Sequence, residues 1–264
     1  MIKFGGSVLN FNGSWLEKGV DLIPAWTLRL LFEDGVTPSI STGTLYQRST
    51  GPNNNIWDWT NTSPNWSRCL QNQTSLKYII GAGDLSGVTI MNYCFAGCYN
   101  MRNASFQNTD SSISTTGVTE FTNCFDNCRN MDYVEGLSFA SCHYAEYMFN
   151  DCDWLGQYGD FGQDFDLTSV WNMPGMFRNC YYMQHLPQFT FNTTGQGGYA
   201  AMRCDNMFEN CINIQFGALE LYNTMSAIPG FTYHTDTFKN CGRDTTIGSI
   251  QLQQIPASWG GLGA

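Results

Sequence analysis

The chain has 264 residues, of which 42% are hydrophobic, 15% aromatic and only 13% charged. Twelve basic against 22 acidic residues leave a formal charge of −10. That balance argues against nucleic acid or an anionic lipid surface as a partner, because neutralising phosphates needs clustered Lys and Arg. The apolar content suffices for a packed core, and surface polarity must come from Asn, Gln, Ser and Thr.

Residues 1–20 hold Lys3 ahead of a stretch broken by Gly and Asn, with no apolar run of the length a secretory signal requires. The expectation is a chain without an ordinary signal peptide. Phe4, Phe11 and Trp15 make this segment apolar enough to dock, which predicts an attachment or oligomerisation arm; a frayed terminus is the open alternative. Residues 21–87 read as a small β-rich N-terminal cap. Leu22 to Phe32 is interrupted by Pro24 and Arg29 and is too short to span a bilayer. Trp26 to Phe32 predicts a strand ended by Glu33-Asp34-Gly35, Thr44 to Gln47 a second, and Ile56 to Trp59 follows a Gly/Pro/Asn loop. Five of the eight tryptophans precede residue 67, as expected of side chains that cover the open end of a core. Trp57 and Trp59 carry an alternative role, glycan contact, since aromatic faces stack on sugar rings. Leu76 to Ile80 reads as the strand of a degenerate first repeat.

Residues 88–245 repeat. Six segments share a Phe three residues before a Cys: Phe95/Cys98, Phe125/Cys128, Phe149/Cys152, Phe177/Cys180, Phe208/Cys211 and Phe238/Cys241. Successive phenylalanines lie 30, 24, 28, 31 and 30 residues apart. Counting from each Cys as position 0, positions −7, −4, −3 and 0 are mostly apolar or Cys and predict a two-turn helix. Met101, Met131, Leu155, Met183 and Ile214 at +3, with Val134, Leu186 and Phe189 beyond, predict a strand. Each unit then reads as helix, turn and strand, and stacking buries a continuous core. The i, i+4 spacing of Cys94/Cys98 and Cys124/Cys128 would suit zinc on one helical face. Yet Met replaces the first Cys in three other units, which favours the thiols as compact core side chains over metal ligands or disulfides. Leu219 to Met225 predicts a helix, and residues 246–264 a C-terminal cap.

These units resemble leucine-rich repeats of the BspA-like type, whose repeats carry Met-Phe-x-x-Cys and spaced Leu. The resemblance implies an α/β leucine-rich-repeat-type solenoid of about six or seven helix-strand repeats. The flanks, Leu28 to Ser39 leading into Pro52 to Trp59, and Asn240-Cys241-Gly242 with Ile255 to Trp259, look like those of virion-associated proteins of crAss-like phages of gut bacteria. That second resemblance implies a head fibre or surface decoration, made in the host cytoplasm and located on the virion. Its partners would be further copies of itself as dimer or trimer, other capsid or tail proteins, and a host-surface glycan or protein. A tail-located receptor-binding protein and a bacterial surface adhesin are the rival expectations.

Nothing in the sequence points to catalysis: Gly-x-Ser-x-Gly, His-Glu-x-x-His, phosphate-loop and dinucleotide fingerprints are all missing. His143, His185 and His234 have no partner at a recognisable spacing. No cofactor, metal or catalytic residue is expected. Asp151, Asp153, Asp160, Asp164 and Asp166 leave calcium as an open question, without the loop order of a calcium hand.

Overall fold

The computed structural model describes residues 2–4, 7–9, 23–49, 55–107, 115–158, 161, 163–193 and 201–263. Among these, two short strands, β1 (Ile2–Phe4) and β2 (Ser7–Leu9), pair antiparallel. The next four strands are β3 (Thr27–Phe32), β4 (Thr44–Ser49), β5 (Asn55–Thr60) and β6 (Leu76–Ala82); β3, β4 and β6 lie where strands were expected, and β5 takes in Ile56 to Trp59, for which no element was assigned. The repeats contribute β7 (Asn103–Ser105), β8 (Tyr133–Glu135), β9 (Phe165–Leu167), β10 (Phe189–Phe191), β11 (Met202–Arg203) and β12 (Phe231–Tyr233). Helix α1 (Ala218–Ser226) includes the predicted Leu219 to Met225, and α2 (Thr246–Leu252) precedes a 3-10 turn at Ala257–Trp259.

One six-stranded sheet has the order β4-β5-β3-β6-β7-β8. Its first four strands are antiparallel and its β6-β7-β8 half is parallel. Strand β6 therefore converts an antiparallel edge into a template for the first repeat strand. At the opposite edge of the antiparallel half, Asp58 is buried and receives the guanidinium of Arg29 through Nε at 2.9 Å and Nη2 at 3.2 Å, and Arg48 Nε at 2.7 Å. This network spans β3, β4 and β5 and fixes their order.

The expected α/β solenoid of helix-strand repeats is corrected by these elements. The described chain is mostly sheet and turn, its sheets are mixed and open, and α-helix is confined to α1 and α2. The Phe-x-x-Cys segments are not helical at all. In each of the six units, residues −5 and −1 occupy the left-handed region: Tyr93/Gly97, Asn123/Asn127, Tyr147/Asp151, Gly175/Asn179, Asn206/Asn210 and Asp236/Asn240. A helix cannot contain such residues. Instead, three overlapping turns close through i→i−3 bonds, as in Cys94 to Met91, Ala96 to Tyr93 and Cys98 to Phe95. In the first five units the intervening N–H groups at −7, −5, −3 and −1 all donate to the next unit, for example Met91 to Glu120, Tyr93 to Thr122, Phe95 to Cys124 and Gly97 to Asp126. The segment thus satisfies its backbone half internally and half by stacking. Tandem turns bury one side at nearly the same spacing as a short helix, which is why the pattern misled.

The −1 residues also join one another. Asn240 Nδ2 donates to Asn210 Oδ1 at 2.8 Å, Asn210 to Asn179 at 2.9 Å, and Asn179 to Asp151 at 2.8 Å. Asn179→Ala loses two side-chain bonds at about 1 kcal/mol each and adds left-handed strain of about 1 kcal/mol. Asn179→Gly loses the same bonds without the strain, so urea unfolding should find it the more stable variant by about 1 kcal/mol. A helix would give the reverse order.

Candidate interaction surface

The turn ladder sets which side chains point inward. Phe95, Phe125, Phe149, Phe177, Phe208 and Phe238 are completely buried and stack nearly parallel, with centroids 5.2 to 5.7 Å apart. Phe106, Phe165 and Phe189 from the strand side pack edge-on against this column. Cys98, Cys128, Cys152, Cys180, Cys211 and Cys241 are equally buried. Five of these thiols donate to the carbonyl of the preceding unit: Cys98 to Leu70, Cys128 to Phe95, Cys152 to Phe125, Cys180 to Phe149 and Cys211 to Phe177, at 3.0 to 3.3 Å. The Cys column is thus a row of small core side chains with a polar contact between units. All eleven cysteines are unpaired, and ten are buried. Burial raises the Cys98 and Cys204 thiols from the ordinary 9.0 to about 12. No group of three or more His, Cys, Asp or Glu among the described residues is placed to hold a metal ion.

The degenerate first repeat, whose strand was expected at Leu76 to Ile80 and forms as β6, begins the stack with turns that had not been expected. Trp66, Arg68, Leu70 and Asn72 donate their N–H groups to Ile90, Asn92, Cys94 and Ala96, copying the pattern of the later units with Leu70 in the Phe position. Its signal was the alternation Trp66-x-Arg68-x-Leu70-x-Asn72. At the other end Phe238 N–H donates to the Trp259 carbonyl, and the Trp259 ring lies parallel to His234 at 4.0 Å. Trp59 is buried, donates from Nε1 to the Thr42 carbonyl at 2.7 Å and meets Trp66 edge-on. It is closed to sugar, which corrects the glycan expectation for that residue. Trp57 is half-buried and donates to Asn55 Oδ1 at 2.8 Å. Phe4 lies on β1, while Phe11 and Trp15 fall outside the described residues.

The outward positions follow from two inward anchors. Cys at 0 and the apolar residue at +3 are both buried and close a turn, as in Met101 N–H to Cys98 and Met183 N–H to Cys180. Residues +1 and +2 are thereby lifted onto a corner: Tyr99/Asn100, Arg129/Asn130, Asp153/Trp154, Tyr181/Tyr182 and Ile212/Asn213. Backbone bonds keep the corners in line, Asn130 N–H to Tyr99, Trp154 to Arg129 and Tyr182 to Asp153. Tyr99, Tyr181 and Tyr182 are 41%, 36% and 43% exposed. Trp154 stacks on Tyr182 at 4.6 Å. Burial raises the Asp153 carboxyl, against the pull of Arg129; burial and the nearby Asp151 and Asp153 raise the Tyr181 phenol. Asp151 is held by Asn150 and Asn179 within the ladder, whereas Asp166 faces solvent on β9 and accepts the Thr168 N–H. Asp160 falls outside the described residues. Sequence reasoning missed the corner because +1 and +2 share a position and not a residue type.

An open cleft of about 600 Å³ lies between α1 and α2, lined by residues including Phe216, Leu219, Glu220 and Gln251. No helix among the described residues is long and apolar enough to cross a membrane. A family model described as "Mycoplasma protein of unknown function, DUF285" matches residues 41–161 and 99–215. Neither a curated protein nor a solved structure matches the chain.

Proposed function

The chain belongs to the DUF285 family, a family of BspA-like repeats, and from that premise we propose that it is a non-enzymatic structural protein of a phage virion. In this reading it is a head fibre or surface decoration that self-associates, contacts other virion proteins, and presents its repeats to the host surface. The observation that carries the display role is the corner row, where turns in register hold aromatic, amide and charged side chains outward along the stack. Repetition of weak contacts along such a row yields avidity without any single tight site. The placement on a phage is supported by the resemblance of the flanks, and the eleven unpaired thiols suit assembly in a reducing cytoplasm. The contact with the particle or with further copies is assigned to residues 1–20, through Phe4, Phe11 and Trp15.

A bacterial surface adhesin is the second reading, favoured by a family description that names a cellular bacterium. Density-gradient fractionation followed by peptide mass spectrometry separates the two. The virion reading expects the protein to band with intact particles at a fixed ratio to the major capsid protein. Recovery only from the envelope of uninfected cells would establish the adhesin.

A further inference from the structure

We infer that the corner formed by Trp154, Tyr181 and Tyr182 is a binding site for a neutral glycan chain. The inference deepens the proposed display role and rests on it. Tyr182 stacks on Trp154 at 4.6 Å yet remains 43% exposed, so a large part of it reaches solvent. Tyr181 stands beside it at 36% exposure. Asn213, at the equivalent corner of the next unit, donates from Nδ2 to the Tyr181 carbonyl at 2.8 Å. Aromatic faces take the C–H face of a pyranose, and the tyrosine hydroxyls, Asn130, Asp153 and Arg129 supply donors and acceptors for sugar hydroxyls.

Three observations favour a neutral glycan over other occupants. The corner rings of adjacent units, Trp154 and Tyr182, lie 4.6 Å apart, comparable to the length of one pyranose, so neighbouring corners suit neighbouring sugars. The net charge of −10 opposes an acidic polysaccharide, and Arg129 and Asp153 offset one another on the corner. The exposed rings of the corner carry hydroxyls that can pair with sugar hydroxyls, whereas the exposed aliphatic side chains Ile247, Ile250 and Leu262 belong to the C-terminal end.

The test uses the purified full chain on an array of neutral hexose and N-acetylhexosamine oligosaccharides, with sialylated and sulfated chains as acidic controls. Titration calorimetry then follows the oligosaccharides that score. The expected result is binding to neutral chains in the millimolar to micromolar range, weakened at least tenfold by Tyr182→Ala and largely kept by Tyr182→Phe, with both variants folded at the assay temperature. Tyr46→Ala, at an exposed tyrosine of β4, should bind as the parent does. Silence across the neutral array, binding indifferent to Tyr182→Ala, or preference for acidic chains would each overturn the inference. The virion assignment fails separately, because particle fractionation requires no sugar and the array requires no particle.

Discussion

Phe177→Ala should lower the unfolding free energy by about 4 kcal/mol, the loss expected when a fully buried ring leaves a cavity that cannot collapse. Phe177 is the residue to choose because its ring meets Phe149 and Phe208 along the stack, at 5.4 and 5.6 Å, and Phe161, Phe165 and Phe189 from the strand side. In a stack each unit is stabilised chiefly by its neighbours, so a cavity at Phe177 weakens the interfaces on both sides. Urea unfolding followed by tryptophan fluorescence measures the loss. Tyr182→Ala, five residues away but on the exposed corner, should cost only about 1 kcal/mol, the loss of its stacking on Trp154. A loss below about 1 kcal/mol for Phe177→Ala would contradict the register of the column.

Alkaline pH should unfold the protein steeply. Burial raises nine thiols above their ordinary value: Cys94, Cys98, Cys124, Cys128, Cys142, Cys152, Cys180, Cys204 and Cys241. A group with a raised value in the fold binds its proton more tightly there than in the unfolded chain. Its stabilisation is therefore complete below about pH 9 and is lost as pH rises towards 12. Each thiol contributes a slope of about 1.4 kcal/mol per pH unit in that window, and the slopes add. Burial raises the phenols of Tyr78 and Tyr181 too, which act in the same direction. The melting temperature should be flat from pH 7 to about 8.5 and then fall, with the fold lost before pH 11. In parallel, a thiol reagent at pH 8 should label Cys69 alone at an appreciable rate, and all eleven cysteines after urea. Stability maintained to pH 11, or rapid labelling of several thiols in the native chain, would contradict a buried Cys column.

The inward half of this architecture was legible because burial repeats a residue type. Phe and Cys recur in phase, and all twelve of these side chains are buried. Strands β3, β4 and β6 were legible too, β3 through its apolar alternation. The local conformation was misread because spacing records which side chains share a face and not the backbone path that places them there. The contrary signal was present in Asn127, Asn179, Asn210 and Asn240, four residues in phase that tolerate left-handed backbone far better than a helix interior tolerates them. Trp59 kept a glycan alternative beside its cap role because an indole in a polar neighbourhood reads alike whether its Nε1 meets a sugar or the Thr42 carbonyl. The corner surface escaped because solvent imposes no common residue type on Tyr99, Arg129, Asp153, Tyr181 and Ile212; only the buried residues on either side define it.

The display role on a phage particle is tested most directly by immunogold electron microscopy, with antibody raised against this protein and applied to purified particles and to uninfected host cells. The account predicts gold on particles, concentrated on the head, and bare uninfected cells. Label on the tail would move the protein to receptor binding there, within the same chemistry. Gold on uninfected cells with none on particles would contradict the account and leave the repeats to a cell-surface adhesin.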